Sequence, residues 1–252
     1  MHVEHNSLKQ MSHLYRKSCC LLIGVITGVC FSFGRVLTKE CNLPRPGDKL
    51  DLVLYEGVYP GAEGENAVWD FSHATVAPRS ESLTYTGSPE ALTARFSKHR
   101  MYYSLRGDSL MWHGYESRQI NLSDSVGALN MIFPLSYGDS CSLTFDFRGH
   151  HYIEHPALLT GSGYIKADAT GILIMPEGDT IRNVLRVRRD YTGLPKVRLS
   201  PDSDTALTPR EDEVSYQEYD WYAPGYRYPV VSLHRTLAHE QSGRCVFHKL
   251  HT

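Results

Sequence analysis

The chain is 252 residues long, 41% apolar and 21% charged, with a net charge of -2, 20 Gly, 13 Pro, 16 Tyr and 6 Cys. So much apolar content at so small a net charge excludes a disordered chain, and the length suits one large all-β domain or two small ones. A near-neutral balance gives no general electrostatic attraction to nucleic acid, so no nucleic-acid partner is expected.

Arg16 and Lys17 precede an apolar or small-residue run from Cys19 to Phe33, and the chain turns polar at Gly34 and Arg35. A run of about 15 residues fits the apolar region of a signal peptide and falls short of the roughly 20 that a membrane-spanning helix requires. Ser32 and Gly34 supply the small residues of a cleavage site. Residues 1–34 therefore read as a signal peptide, and the rest as exported to the periplasm, the outer surface or the medium, no longer integral to a membrane once the signal is cleaved. A retained N-terminal anchor or a lipid-modified cysteine is the alternative. Cleavage removes Glu4, Lys9, Arg16 and Lys17, which leaves a mildly acidic mature chain, and three of the cysteines, which leaves Cys41, Cys141 and Cys245. One disulfide at most can form. A Cys41 to Cys245 bridge would tie the two ends of the domain and contribute about 4 to 5 kcal/mol in the chain-entropy picture. No CxxC pair exists, so no structural zinc site is expected, and no cofactor is expected because no motif for one appears.

Residues 35–49 read as an extended lead-in, and from residue 50 the apolar period is close to two. Segments 50–55, 100–105, 142–147 and 185–188 alternate as strands. Turn residues place hairpins at Arg106-Gly107-Asp108, Glu177-Gly178-Asp179 and Ala223-Pro224-Gly225, the last joining a strand over 216–222 to one over 226–233. A short helix is expected only at 88–97, with Pro89 in its first turn. Residues 194–212, rich in Pro, Ser and Asp, read as a long surface loop or a linker, which leaves open a division of the 50–250 domain into two sub-domains there. The expected fold is an all-β, antiparallel β-sandwich, with jelly-roll-like and Ig-like connectivity both open.

Several motifs carry a functional spelling beside a simpler one. His151-Tyr152-Ile153-Glu154-His155 spells the HxxEH of inverted zinc peptidases, but that chemistry needs a helix, and Gly149 and Pro156 bracket a strand-like segment. Arg106-Gly107-Asp108 spells an integrin-recognition tripeptide and is also what a tight hairpin reversal requires. Arg182, Arg186 and Arg188 on an outward face could hold an anion, or could face Glu213, Glu218 and Asp220 across neighbouring strands. Asp202, Asp204, Glu211 and Asp212 lack the spacing of a calcium loop, so solvated loop charge is the default reading.

The densest feature is aromatic. Tyr216, Tyr219, Trp221, Tyr222, Tyr226 and Tyr228 surround one Pro-Gly turn. Alternation sends Tyr216 and Tyr222 to one face with Glu218 and Asp220, and Tyr219 and Trp221 to the other. Exposed rings beside carboxylates are a common sugar platform, while cross-strand packing is the simpler role. The candidate ligand-binding set is Tyr219, Trp221, Tyr222, Tyr226, Glu218 and Asp220, and burial of these rings would turn the platform down. No nucleophile elbow, phosphate loop or distinctive carboxylate pair appears, so no catalytic residue is assigned.

Segments 102–110 with Gly114-Tyr115-Glu116, then 134–140, then 166–171 running through 176–180 to 184–187, together resemble a family of uncharacterised exported β-rich proteins of gut Bacteroidota. The resemblance covers most of residues 41–233. It implies an envelope or secreted location and a β-rich fold, and carries no activity. It also makes the Asp-Ser/Thr-apolar triplets at Asp108, Asp124, Asp179 and Asp204 look like that phylum's O-glycosylation signal. The functional expectation is a non-catalytic module that binds a glycan or an envelope protein. A glycan-acting hydrolase using Glu218 and Asp220, and a structural envelope component, are the alternatives.

Overall fold

The computed structural model describes residues 36–152, 155–197, 208–209, 214–236 and 244–249. The described elements are β1 (Val36–Leu37), α1 (Lys39–Asn42), β2 (Lys49–Glu56), β3 (Gly64–Asp70), β4 (Thr75–Ser88), β5 (Ala91–Arg95), β6 (His99–Arg106), β7 (Ser109–Ser117), β8 (Ile120–Ile132) and β9 (Leu135–Ser136). They continue as β10 (Ser140–His151), β11 (His155–Ile174), β12 (Thr180–Val197), β13 (Thr208–Pro209), β14 (Val214–Tyr222), β15 (Val231–Thr236) and β16 (Arg244–Lys249). The fold is all-β, as the alternation predicts. In β10, buried Leu143, Phe145 and Phe147 alternate with exposed Thr144, Asp146 and Arg148, so one face of the strand is committed to a core.

From β4 to β16 the principal strands follow one another as antiparallel neighbours in chain order, interrupted only by the short β9 and β13. β16 then pairs with β2 and β2 with β4, while β11 and β12 are paired along their lengths. The sheet therefore closes on itself in a circuit of twelve strands, and its walls pack face to face over a filled interior as in a sandwich. Leu110, Ala128 and Met131 of one wall meet Phe147, Ile165, Val187 and Tyr222 of the other, and Leu50, Leu83 and Ala94 meet Tyr228. The connectivity is an up-and-down meander joined end to end, which is neither of the two sandwich topologies left open above.

The wall of β11, β12, β14 and β15 is buried on both faces. Its outer face is covered by β3, which runs parallel to the second half of β11, and by Val58 and Phe71 on either side of β3. This second core explains why consecutive residues are buried in both strands, Ala167 to Thr170 in β11 and Val184 to Val187 in β12, rather than every other one.

Four expectations are corrected. Residues 88–97 are not helical: Ser88 pairs with Ala91 around Pro89 and Glu90, and β5 follows, because Leu92 and Ala94 alternate into the interior. No sub-domain boundary falls at 194–212, since β12 and β14 on either side are hydrogen-bonded neighbours. The second strand of the aromatic hairpin starts at Val231, after the 223–230 turn, rather than at Tyr226. Cys41, in α1, is exposed and free, so the Cys41 to Cys245 bridge is not formed, and the side chain of Cys245 lies outside the described residues. The chain ends are joined by the β2–β16 ladder instead, with Cys245 opposite Tyr55.

Candidate functional site

The aromatic hairpin belongs to the doubly buried wall. Trp221 is fully buried and Tyr219 and Tyr222 nearly so. Trp221 meets Trp69 and Phe71 edge to face, with ring centroids 6.0 and 5.4 Å apart. These rings are core and form no exposed sugar platform. β3 and its flanks, distant in sequence, form the cover that hides them. Tyr216 and Tyr226 keep accessible rings, but on separate parts of the hairpin.

Between those rings lies Arg186, which donates from Nε and Nη2 to the two carboxylate oxygens of Asp168 at 2.8 Å each, and from Nη1 to the Pro60 carbonyl. Its guanidinium carbon sits 5.1 to 5.8 Å from the ring centroids of Trp69, Tyr219 and Trp221. Arg188 makes the same two-point contact with Asp190, which also accepts from Gln217. Two of the three expected ladder arginines, Arg186 and Arg188, are thus held by carboxylates of β11 and β12, not by Glu218 and Asp220, while Arg182 is exposed.

Glu218 and Asp220 point into the closed sheet and converge on Arg189. Its Nη1 lies 2.5 Å from Asp220 and 3.7 Å from Glu218, and its Nε donates to the Asn130 carbonyl. Ser232 donates to the other Asp220 oxygen, and His234 Nδ1 lies 3.4 Å from Glu218. Desolvation pushes the Glu218 carboxyl up, but the hydrogen bond from His234 and the charges of His234 and Arg189 outweigh it and hold it below its ordinary value. Burial likewise pulls the His234 ring down, and Glu218 and Asp220 overcome this to raise it. A glycosidase needs one carboxyl raised so that it can donate a proton. Glu218 moves the other way, and both acids are engaged in neutralising one guanidinium.

A different cluster lies on the outer face of the opposite wall. Met101 and Tyr103 pack toward the interior, so Tyr102 and Ser104 face outward. There they line a recess of about 480 Å³ with Glu90, Thr93, Arg106 and His113. Tyr103 pairs with Trp112 and Tyr102 with Gly114, which makes His113 the extra residue of a β-bulge. Across β7, Trp112 pairs with Ala128 and Gly114 with Ser123, so β8 bulges beside it. Bulges re-aim side chains, and here the bulge brings His113 Nε2 to 2.7 Å from Ser104 Oγ, with Nδ1 2.9 Å from the Asp124 carbonyl. Gly127, at φ 81°, leaves room for the ring: a Cβ there would meet His113 Cε1 at 2.7 Å. Arg106 donates to the Ser125 carbonyl at 3.2 Å, beside the same bulge. Sequence reasoning missed this pair because a regular hairpin sets Ser104 opposite Met111. Gly114 and Gly127 inside strands were the available sign of irregular pairing.

The remaining motifs resolve simply. His151 and His155 are cross-strand partners at the end of the β10–β11 hairpin, so the HxxEH spelling spans a chain reversal and lacks the helix that metal chemistry needs, with Ile153 and Glu154 outside the described residues. Arg106 pairs with Ser109 across the Gly107-Asp108 turn, and Asp108 accepts from Lys39 Nζ at 2.7 Å. Asp202, Asp204, Glu211 and Asp212 lie outside the described residues. Among those described, no helix is long and apolar enough to cross a membrane. Comparison of the chain with protein families, with curated proteins and with solved structures finds no match.

Proposed function

We propose that this chain is an exported envelope or secreted binding module, and that its ligand is a hydroxyl-rich molecule of the short-glycan type held in the recess of β5, β6 and β7. The supporting observation is the recess itself. Its volume falls in the range of small-molecule sites, and its walls offer a carboxylate (Glu90), a guanidinium (Arg106), hydroxyls (Thr93, Ser104) and a tyrosine ring (Tyr102). Sugars present donors and acceptors in alternation over an apolar ring face, and such a mixed lining answers both. Export rests on the signal-like layout of residues 1–34 and on the resemblance to exported proteins of gut Bacteroidota.

Binding of the purified mature chain across a glycan array, followed by calorimetry on any hit, tests the reading. A hit weakened at least about tenfold by Arg106→Ala or Glu90→Gln supports it, that being the loss of one hydrogen bond to a charged group. No binding, or binding indifferent to both substitutions, rejects it and leaves the structural envelope component.

A further inference from the structure

We propose that Ser104 and His113 are a nucleophile and its general base, and that the recess hydrolyses a small O-acyl ester carried by its hydroxyl-rich ligand. The inference deepens the binding reading above and rests on it for the substrate class.

The tautomer follows from the partners. A carbonyl oxygen only accepts, so the contact between His113 Nδ1 and Asp124 O at 2.9 Å assigns the ring proton to Nδ1. Nε2 then carries the lone pair, and the Ser104 hydroxyl at 2.7 Å must be the donor. That is the polarity a base-activated serine requires: nucleophile to base, base to a third group that fixes its ring. The usual third group is a carboxylate, and here a backbone carbonyl takes its orienting role without its charge. Turnover is therefore expected to be slow, and covalent capture is the sharper readout.

Three further features suit the pair to chemistry. Ser104 is 8% exposed, yet it lines the recess, so its hydroxyl is shielded from bulk water and still reachable by a ligand. His113 occupies its place only through bulges in two neighbouring ladders and a glycine whose missing Cβ admits the ring. Arg106 lines the same space and supplies positive charge for the oxygen of a tetrahedral intermediate.

In the first half-reaction Ser104 Oγ bonds to the ester carbonyl carbon while its proton passes to His113 Nε2 and the carbonyl electron pair moves onto oxygen. Collapse re-forms the carbonyl and breaks the bond to the alkoxy oxygen, which takes the proton from Nε2. Water then attacks the acyl-serine with Nε2 accepting its proton, and the bond to Ser104 breaks as that proton returns to Oγ. One ester and one water become one carboxylic acid and one alcohol.

The test is reaction of the folded mature chain with a fluorophosphonate probe and with p-nitrophenyl acetate, read by intact mass and peptide mapping. One adduct on Ser104 is expected. It should be absent in Ser104→Ala and slowed at least about a hundredfold in His113→Gln, the range for loss of a general base. Far-UV circular dichroism of each variant reports folding, and the wild-type labelling needs no variant. A folded wild-type chain that forms no Ser104 adduct overturns the proposal, even where it binds glycans. Labelling that falls indifferently on exposed serines, at a rate unmoved by His113→Gln, overturns it equally. A Ser104 adduct without glycan binding upholds the catalytic pair and rejects only the ligand class.

Discussion

Arg186 and Asp168 form a parallel two-point ion pair with side chains 2% and 0% exposed, between β11 and β12 and beneath three aromatic rings. Asp168 is the bulged residue of its strand: Ala167 pairs with Val187 and Ala169 with Arg186. The irregularity turns the carboxylate into the outer core, where the guanidinium needs it. An arginine whose three nitrogens each donate a hydrogen bond, and with ring faces around it, is a structural cation rather than a free anion site.

Removing one partner should therefore be costly. Asp168→Ala leaves a buried, unpaired guanidinium and is expected to lower the unfolding free energy by about 3 to 5 kcal/mol in urea. Replacing both, as Asp168→Leu with Arg186→Met, should recover most of that loss. A single variant within about 1 kcal/mol of wild type would mean that water reaches Arg186.

The hairpin rings make a prediction that separates core from contact surface. Trp221→Ala should cost about 3 to 5 kcal/mol, as expected for a fully buried aromatic. Tyr226→Ala, at a ring 36% exposed, should stay within about 0.5 kcal/mol. Thermal melts of the two variants make the comparison, and a Trp221→Ala protein as stable as wild type would contradict the packing against Trp69 and Phe71.

The Glu218 and His234 pair should give stability a two-sided pH dependence. His234 is raised above 6.5, so its contribution is complete below 6.5 and is lost as pH climbs through the raised value. Glu218 is lowered below 4.5, so its contribution is complete above 4.5 and is lost as pH falls through the lowered value. Both are present together between these limits. Asp220 supports the His234 charge, while Arg189 and His99 oppose it. Urea titrations across pH, with NMR of the imidazole, should show the plateau and lose its alkaline fall in Glu218→Gln. A His234 ring titrating at or below 6.5 in the wild type would reject the pairing.

What was legible in the sequence follows from the range of the forces involved. Alternation and turn chemistry are local, so the strand character of 100–105 and 142–147 and the reversals at Gly107 and Gly178 could be read directly. The fate of Trp221 depends on β3, some 150 residues away, and no local pattern distinguishes a ring awaiting a cover from one awaiting a ligand. Glu218 and Asp220 share one face, as alternation requires, but what that face holds is Arg189, which local pattern does not reveal. The Arg186 to Asp168 and Ser104 to His113 contacts both depend on bulges, which shift register by one residue and move a side chain to a new partner. Gly114 and Gly127 hint at such shifts without saying what they bring together.

Gly127 offers a way to perturb His113 without touching either member of the pair. Its φ of 81° disfavours any other residue, and a Cβ would approach the His113 ring at 2.7 to 2.9 Å and the Trp112 carbonyl at 3.1 Å. Gly127→Ala therefore combines backbone strain with a direct collision, and should cost about 1 to 3 kcal/mol. Because the flexible element in the collision is the imidazole, the ring should also swing away from Ser104. The expected signature is a melting temperature lowered by a few degrees together with a changed His113 imidazole resonance and lost contact between Nδ1–H and the Asp124 carbonyl. An alanine variant with an unshifted His113 signal would show that the ring has space to spare, and that Gly127 serves only the turn of the β8 bulge.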